Sequence, residues 1–491
     1  MDIITTVLAF LLWLLLPFPA SPQASDNQCL KCHETLGDKP SRLFTHDIHF
    51  QKGITCAGCH GGDASAELME DAMSPDKGFI GVPTGDDISK ACARCHSDAA
   101  VMVKQFNSIL PRNQLELLST SVHGKLSTTG KERVAECITC HNAHGIISTK
   151  DPRSPVYPVN VTKTCAKCHG DPAFMRTYNP ALPVDQLEKY RTSVHGKKNA
   201  QGDAKVAACA NCHGSHEIRS AGDLKSKVYA ANLPATCGAC HANPTYMKGY
   251  RIPTDQVKKF STSVHGKALL EKHDLSAPAC NDCHGNHGAA PPDVESISKV
   301  CGTCHALNAS LFASSAHKRA FDSRRLPECE TCHGYHDIVA ATDALLGVSP
   351  DAVCSRCHRE GLNEKGYLTA KTMRRLIDSL ESSEHFADSL ITDAEQKGME
   401  VSDGKFKLRD ARQARLQSRT MVHAFDEAKF RDVIGKGLSM TAVVADEGEQ
   451  AIEEYFFRRW GLGVATLIIT IVVVSLYLTI RRIEKRQKQQ K

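Results

Sequence analysis

All 22 cysteines of this 491-residue chain fall into eleven CxxCH pentapeptides, and none is left over. The motifs are Cys29, Cys32 and His33; Cys56, Cys59 and His60; Cys92, Cys95 and His96; Cys137, Cys140 and His141; Cys165, Cys168 and His169; Cys209, Cys212 and His213; Cys237, Cys240 and His241; Cys280, Cys283 and His284; Cys301, Cys304 and His305; Cys329, Cys332 and His333; and Cys354, Cys357 and His358. Zinc ribbons and disulfide frameworks explain paired cysteines, but neither explains a histidine after the second cysteine of every pair. Covalent attachment of c-type haem does: two thiols add across the porphyrin vinyl groups, and the adjacent histidine reaches the iron as proximal ligand.

That expectation settles how the chain can make a core. Only 6% of it is aromatic and 41% hydrophobic. Between Cys29 and His358 each motif has about 30 residues to itself, so the porphyrins must supply much of the buried apolar surface, and this region is not expected to fold without them. The expected fold is mainly α with little other regular structure: a haem-packed array, then long C-terminal helices and one transmembrane helix. The formal charge of +5 carries no nucleic-acid inference, because every haem adds two propionates.

A second pattern overlies the first. LPRNQLELLSTSVHGK from Leu110 returns as LPVDQLEKYRTSVHGK from Leu182 and IPTDQVKKFSTSVHGK from Ile252. Each copy delivers one histidine, His123, His195 or His265, which lies 14, 14 or 15 residues before Cys137, Cys209 or Cys280. An altered copy, SSAHKRA, delivers His317. Each unit then reads CxxCHxxH followed by a second CxxCH, and the companion histidines are His144, His216, His287 and His336. Four units thus carry eight motifs and eight extra histidines, the number needed if every iron takes two imidazoles. An earlier unit, THDIHFQKGITCAGCH, offers His46 and His49 for the Cys56 and Cys92 motifs.

Asn113, Asp185 and Asp255 sit where a helix N-cap is expected, with apolar pairs such as Leu187/Tyr190 and Val257/Phe260 following at i and i+3. Gly124, Gly196 and Gly266 then read as C-terminal stops, so each short helix is expected to end at its histidine and aim it at an iron. The companions lie too close to their proximal histidine to reach the same iron's other face, so each is expected to ligate a neighbouring iron and staple two haems together. Met102, Met175 and Met247, six residues after a proximal histidine, read as packing. Of the 24 histidines, 11 are proximal. Among the remainder, His273 and His385 sit in charged surroundings, whereas His423 in RTMVHAF has an apolar setting and is the expected eleventh distal ligand. Gly61 to Ser89 reads as a surface loop.

Ile3 to Leu16 is apolar and leads to Ala20 and Ala24, so residues 1–24 read as a secretory signal. Residues 25–360 then form an eleven-haem domain of repeated dihaem units, and 361–460 a helical domain with helices expected over 369–399 and 407–455. Gly461 to Ile480 is a run of 20 uncharged residues, the expected transmembrane helix, and 481–491 a basic tail. Arg481, Arg482, Lys485, Arg486, Lys488 and Lys491 against Glu484 alone put that tail in the cytoplasm and the haem domain on the periplasmic side of a bacterial inner membrane.

With its doubled CxxCH motifs and TSVHG segments the chain resembles the membrane-anchored multihaem c-type cytochromes, and it is distantly similar to the hydroxylamine oxidoreductase and octahaem tetrathionate reductase superfamily. The resemblance implies electron transfer in anaerobic or metal-related respiration, between a quinone-linked donor such as a membrane cytochrome b and periplasmic cytochromes. Saturated bis-imidazole irons suit such a conduit. The competing expectation is an oxidoreductase of small nitrogen or sulfur compounds with one open iron; no CxxCK is present to mark one. The intact mass of the matured chain is expected to exceed that of the polypeptide by eleven haems, and a smaller increment in matured material would refute the count.

Overall fold

The attachment motifs write the secondary structure of the first two thirds of the chain. A helical turn places cysteines at i and i+3 on one side with the histidine beside them, and Cys56–His60, Cys137–His141, Cys209–His213 and Cys280–His284 are each a helix of that length. The second motif of a unit closes a longer helix, as in Asp86–His96, Val161–His169 and Leu233–His241. The computed structural model describes residues 27–125, 134–292 and 297–490, so the expected signal segment and Lys491 lie outside the described residues. Among the described residues there are helices and turns but no strand.

The repeated segment differs from its expectation in an instructive way. Helix α1, Gln186–Thr192, stops before the histidine, and the chain is extended at Ser193. His195 then lies in the first turn of a second helix, α2, Val194–Ala200, whose N-cap is Ser193 with its hydroxyl accepting from Gly196 N at 2.8 Å. Asp185 holds the N-cap position of α1 but pairs with Lys189 at 2.9 Å instead of capping the backbone. The glycine is no helix stop. A Cβ on Gly196 would sit 1.9 Å from the Tyr190 carbonyl oxygen, and one on Gly124 or Gly266 would meet Leu118 or Phe260 as closely. Glycine lets the two helices touch. The left-handed stops fall instead after the proximal histidines, for example at Asn142 (φ 69°) and Gly214 (φ 84°).

Contacts divide the chain into residues 1–291 and 292–491, so the boundary falls among the haem motifs and the last three go with the C-terminal helices. Those helices are α3 (Glu364–Gln396), α4 (Ser402–Met421) and α5 (Glu427–Gln489). The helix expected over 407–455 is in fact broken: Phe425 takes a left-handed φ of 49° and Asp426 caps α5, which leaves His423 in the turn. Met373, Ile377 and Leu380 pack on Phe430 and Ile434, while Ala387 and Ile391 pack on Leu408 and Val444. The order shows α3 and α5 running the same way with α4 returning between them. Both apolar clusters found among the described residues lie in this bundle.

A charge cluster fixes the bundle to the preceding loop. Arg419 grips both oxygens of the Asp343 carboxylate at 2.7 and 2.8 Å. Burial would raise the Asp343 carboxyl, but this bond and the charges of Arg419, Arg415 and Arg374 hold it below the ordinary value. Arg415 reaches on to the buried Glu384 at 3.0 Å, whose carboxyl burial raises.

Gly196→Ala is expected to cost about 3 kcal/mol or more, beyond ordinary overpacking, because its Cβ meets backbone that cannot rotate away. Gly222→Ala, with open space around it, serves as the neutral control. Denaturant unfolding of the two matured variants checks the difference.

Candidate metal centres

Histidines from distant parts of the chain face one another in pairs. His60 opposes His144, His141 opposes His216 and His213 opposes His287, with ring centroids 6.1, 6.1 and 6.0 Å apart and planes within 11° of parallel. A second set is turned more steeply: His49 with His96 at 5.9 Å, His123 with His169 at 5.9 Å, and His195 with His241 at 6.1 Å. In the second unit His317 faces His358 at 5.8 Å and His423 faces His333 at 6.0 Å. Every pair joins one proximal histidine of a CxxCH to one histidine outside the motifs.

The separation has a chemical meaning. Atoms in contact approach to about 3.5–4 Å, and His317 does pack on Phe425 with a centroid distance of 3.7 Å. The paired imidazoles stand farther apart. Two metal–nitrogen bonds of about 2 Å each, with the depth of two rings added, account for a gap of about 6 Å. The ring nitrogens agree. Nδ1 of His49 bonds Asp47 at 2.8 Å, Nδ1 of His60 the Gly81 carbonyl at 2.8 Å, and Nδ1 of His423 the Thr420 carbonyl at 2.9 Å. Donation from Nδ1 leaves the Nε2 lone pair for a metal, with tautomer and ring orientation fixed. Burial first, and the opposed imidazole second, hold His123, His195 and His333 below the ordinary imidazole value, and hence neutral, as a ligand must be.

Backbone latches set the pairs. Val122 N donates to the Ile218 carbonyl at 2.8 Å, Val194 N to Ala289 at 3.1 Å and Ile48 N to Ile146 at 2.7 Å. In each case the segment beside one distal histidine is tied to a residue two past a companion histidine of the next unit. Ser121, buried completely, adds its hydroxyl, which accepts from both His123 N and Ile218 N at 3.2 Å.

A family model described as cytochrome c554 and c-prime matches residues 18–61. Over 300 residues the chain is 21% identical to a C-type polyheme cytochrome, OmcC, of Geobacter sulfurreducens; the match covers 53% of this chain and 37% of that protein's length. No solved structure matches. The chain is a multihaem c-type cytochrome. Its haem c is held covalently, and the paired thiols with opposed imidazoles form a fitting cradle for it. When bound, haem supplies a one-electron iron couple whose potential depends on its axial ligands, hydrogen bonds and burial.

In this cytochrome the attachment points also follow one another in sequence order. Cys92 lies beside Cys137, Cys165 beside Cys209 and Cys237 beside Cys280 across successive units, and Cys301 beside Cys329 in the second unit. Within units, Cys140 lies in the field of Cys168, Cys212 in that of Cys237, and Cys332 in that of Cys354.

The pairs assign the candidates differently from the sequence count. His60 faces His144 and not His46, which stands exposed. His273 and His385 are exposed as well. His33 bonds Asp38 through Nδ1 and is 46% exposed. Met102, Met175 and Met247 are all buried. Spacing gave no sign of Gly81, Asp47 or Ser121, although a serine two residues before each repeated histidine was visible in TSVHG.

His423→Ala is expected to convert one low-spin iron to high-spin and open it to carbon monoxide when reduced, whereas His385→Ala leaves the spectrum unchanged. Magnetic circular dichroism of the two variants checks this; an unaltered His423→Ala spectrum would remove His423 from the ligand set.

Proposed function

We propose that the chain is an eleven-haem electron conduit, anchored in the cytoplasmic membrane by Gly461 to Ile480 and displayed on the periplasmic side. It carries electrons between a quinone-linked membrane donor, such as a cytochrome b, and periplasmic cytochromes. The observation that carries this reading is the opposition of imidazoles: eight proximal histidines each face a second imidazole at 5.8–6.1 Å. A metal saturated by two imidazoles has no position for substrate and suits electron exchange. The sequential order of thiols supports transfer from neighbour to neighbour.

The anchor has its own support. The described part of α5 includes a window of mean hydropathy 2.4 that is not buried against the rest of the chain. Tyr455, Phe456, Phe457 and Trp460 precede the apolar run, as aromatic residues do at a headgroup interface, and Arg481 lies over the Tyr477 ring at its far end.

Two measurements test the proposal. Deleting Gly461 to Lys491 is expected to release soluble, haem-loaded protein; a truncated form that still sediments with membranes after a high-salt wash would point to another anchor. The full-length ferrous protein is expected not to bind carbon monoxide. A high-spin ferric signal accompanied by turnover of nitrite, hydroxylamine or tetrathionate would favour an oxidoreductase with an open iron over the conduit.

A further inference from the structure

The helical bundle is marked chemically at both ends. At one end the turn between α4 and α5 holds His423 opposite His333, and Phe425 of the same turn lies on His317, which faces His358. At the other end α5 enters its apolar run behind exposed Phe456, Phe457 and Trp460, 57%, 75% and 71% accessible. An α-helix rises about 1.5 Å per residue, so Glu427 to Tyr455 spans about 40 Å.

That length is stiff. A Cβ on Gly437 would approach Leu380 to 2.9 Å, one on Gly448 would approach Leu390 to 2.8 Å, and one on Gly404 would approach Ile391 to 2.6 Å, so the three helices touch along most of the rod. Lys407 bridges from α4 to Glu447 of α5 near the membrane-proximal end, and Arg415 bridges from α4 to Glu384 of α3 nearer the histidines. α5 is a single helix from Glu427 to Gln489, so the rod and the apolar run move as one body. A tilt of about 20° in the bilayer would lower the histidine end by only about 2–3 Å.

We propose that α3, α4 and α5 form a stand-off, holding the His333–His423 and His317–His358 sites about 40 Å above the bilayer surface. The partner that exchanges electrons at these sites is then a protein whose own redox centre stands clear of the membrane, not a quinol dissolved in it. Tunnelling through protein falls roughly exponentially with distance, and the rod carries no relay: residues 364–460 contain no CxxCH, and their only histidine besides His423 is the exposed His385. The inference rests on the membrane-anchored reading above.

The test uses the full-length, haem-loaded protein in lipid nanodiscs and vesicles. Carbonate extraction comes first: release from the bilayer defeats the anchor and the stand-off with it. For retained protein, electron microscopy of the discs is expected to place the His333 and His358 irons about 40 Å from the disc face; irons at the face overturn the stand-off while leaving the anchor intact. Electron access is then read with a flavin photoreductant, either free in solution or tethered to a lipid headgroup. Free flavin is expected to reduce the irons at His333 and His358 directly, and tethered flavin to lose direct access to them. Equal reduction by both forms overturns the assignment of the partner. Shortening α3, α4 and α5 by one heptad each, at matched layers, is expected to lower the irons by about 10 Å. If the shortened rod does not fold, the parent geometry in the disc decides.

Discussion

Two imidazoles about 6 Å apart gain almost nothing from each other, because dispersion has largely faded at that separation. Their alignment, eight times over, makes sense as preparation for something placed between them, and the rest of the array follows from it. Half of the pairs join different units, such as His60 from before the first repeat with His144 from within it, or His141 and His216 from consecutive repeats, and half join the two ends of one unit, such as His123 with His169. Each pair therefore closes a long loop of chain. The backbone latches at Ile146, Ile218 and Ala289 supply the geometry, at a cost in chain entropy that single hydrogen bonds of about 1 kcal/mol do not offset. Ligation at the centre of each pair would supply the missing favourable term.

The same constraint explains where the apolar core is. Buried side chains in the haem region are scattered, such as Phe44, Met102, Met175, Met247 and Leu269, and both apolar clusters among the described residues belong to the C-terminal bundle. A region with so little interdigitated core is organised by its ligands. The bundle needs none, since Phe430, Ile434, Leu380 and Ile391 pack against one another with almost no exposure. One chain thus contains two kinds of stability, an array of opposed imidazoles with little apolar core of its own and a rod held by its core.

What could be read in advance divides along the same line. The CxxCH helices, the repeated histidines and the apolar run were legible because each is a local pattern governed by covalent chemistry or helical spacing. Which imidazole opposes which was not, because that is decided by contacts between segments nearly a hundred residues apart, such as Ser121 with Ile218. His46 looked equivalent to His49 beside it, yet the latch from Ile48 to Ile146 brings His144, not His46, to His60. The glycine after each repeated histidine misled for a related reason. Its role is steric, against a carbonyl six residues back, and a glycine chosen for close approach looks the same in sequence as one chosen to end a helix.

The turn after α4 shows how tightly the two kinds of stability are joined. Phe425 occupies left-handed backbone at φ 49°, a conformation that costs a bulky side chain on the order of 1–3 kcal/mol and persists only where its surroundings over-determine it. Three contacts do so here: Asp426 caps α5 through Ala428 N and Lys429 N, His423 is fixed by Thr420, and the Phe425 ring lies against His317. Burial, then the neighbouring His358, hold the His317 imidazole down at about 4. A glycine would relieve the backbone but would remove the ring that keeps His317 turned toward His358. The strain is therefore the consequence of one short turn serving two adjacent sites, with His423 for one and Phe425 supporting the other. Through it the bundle sets an imidazole opposite His333 and an aromatic ring against His317.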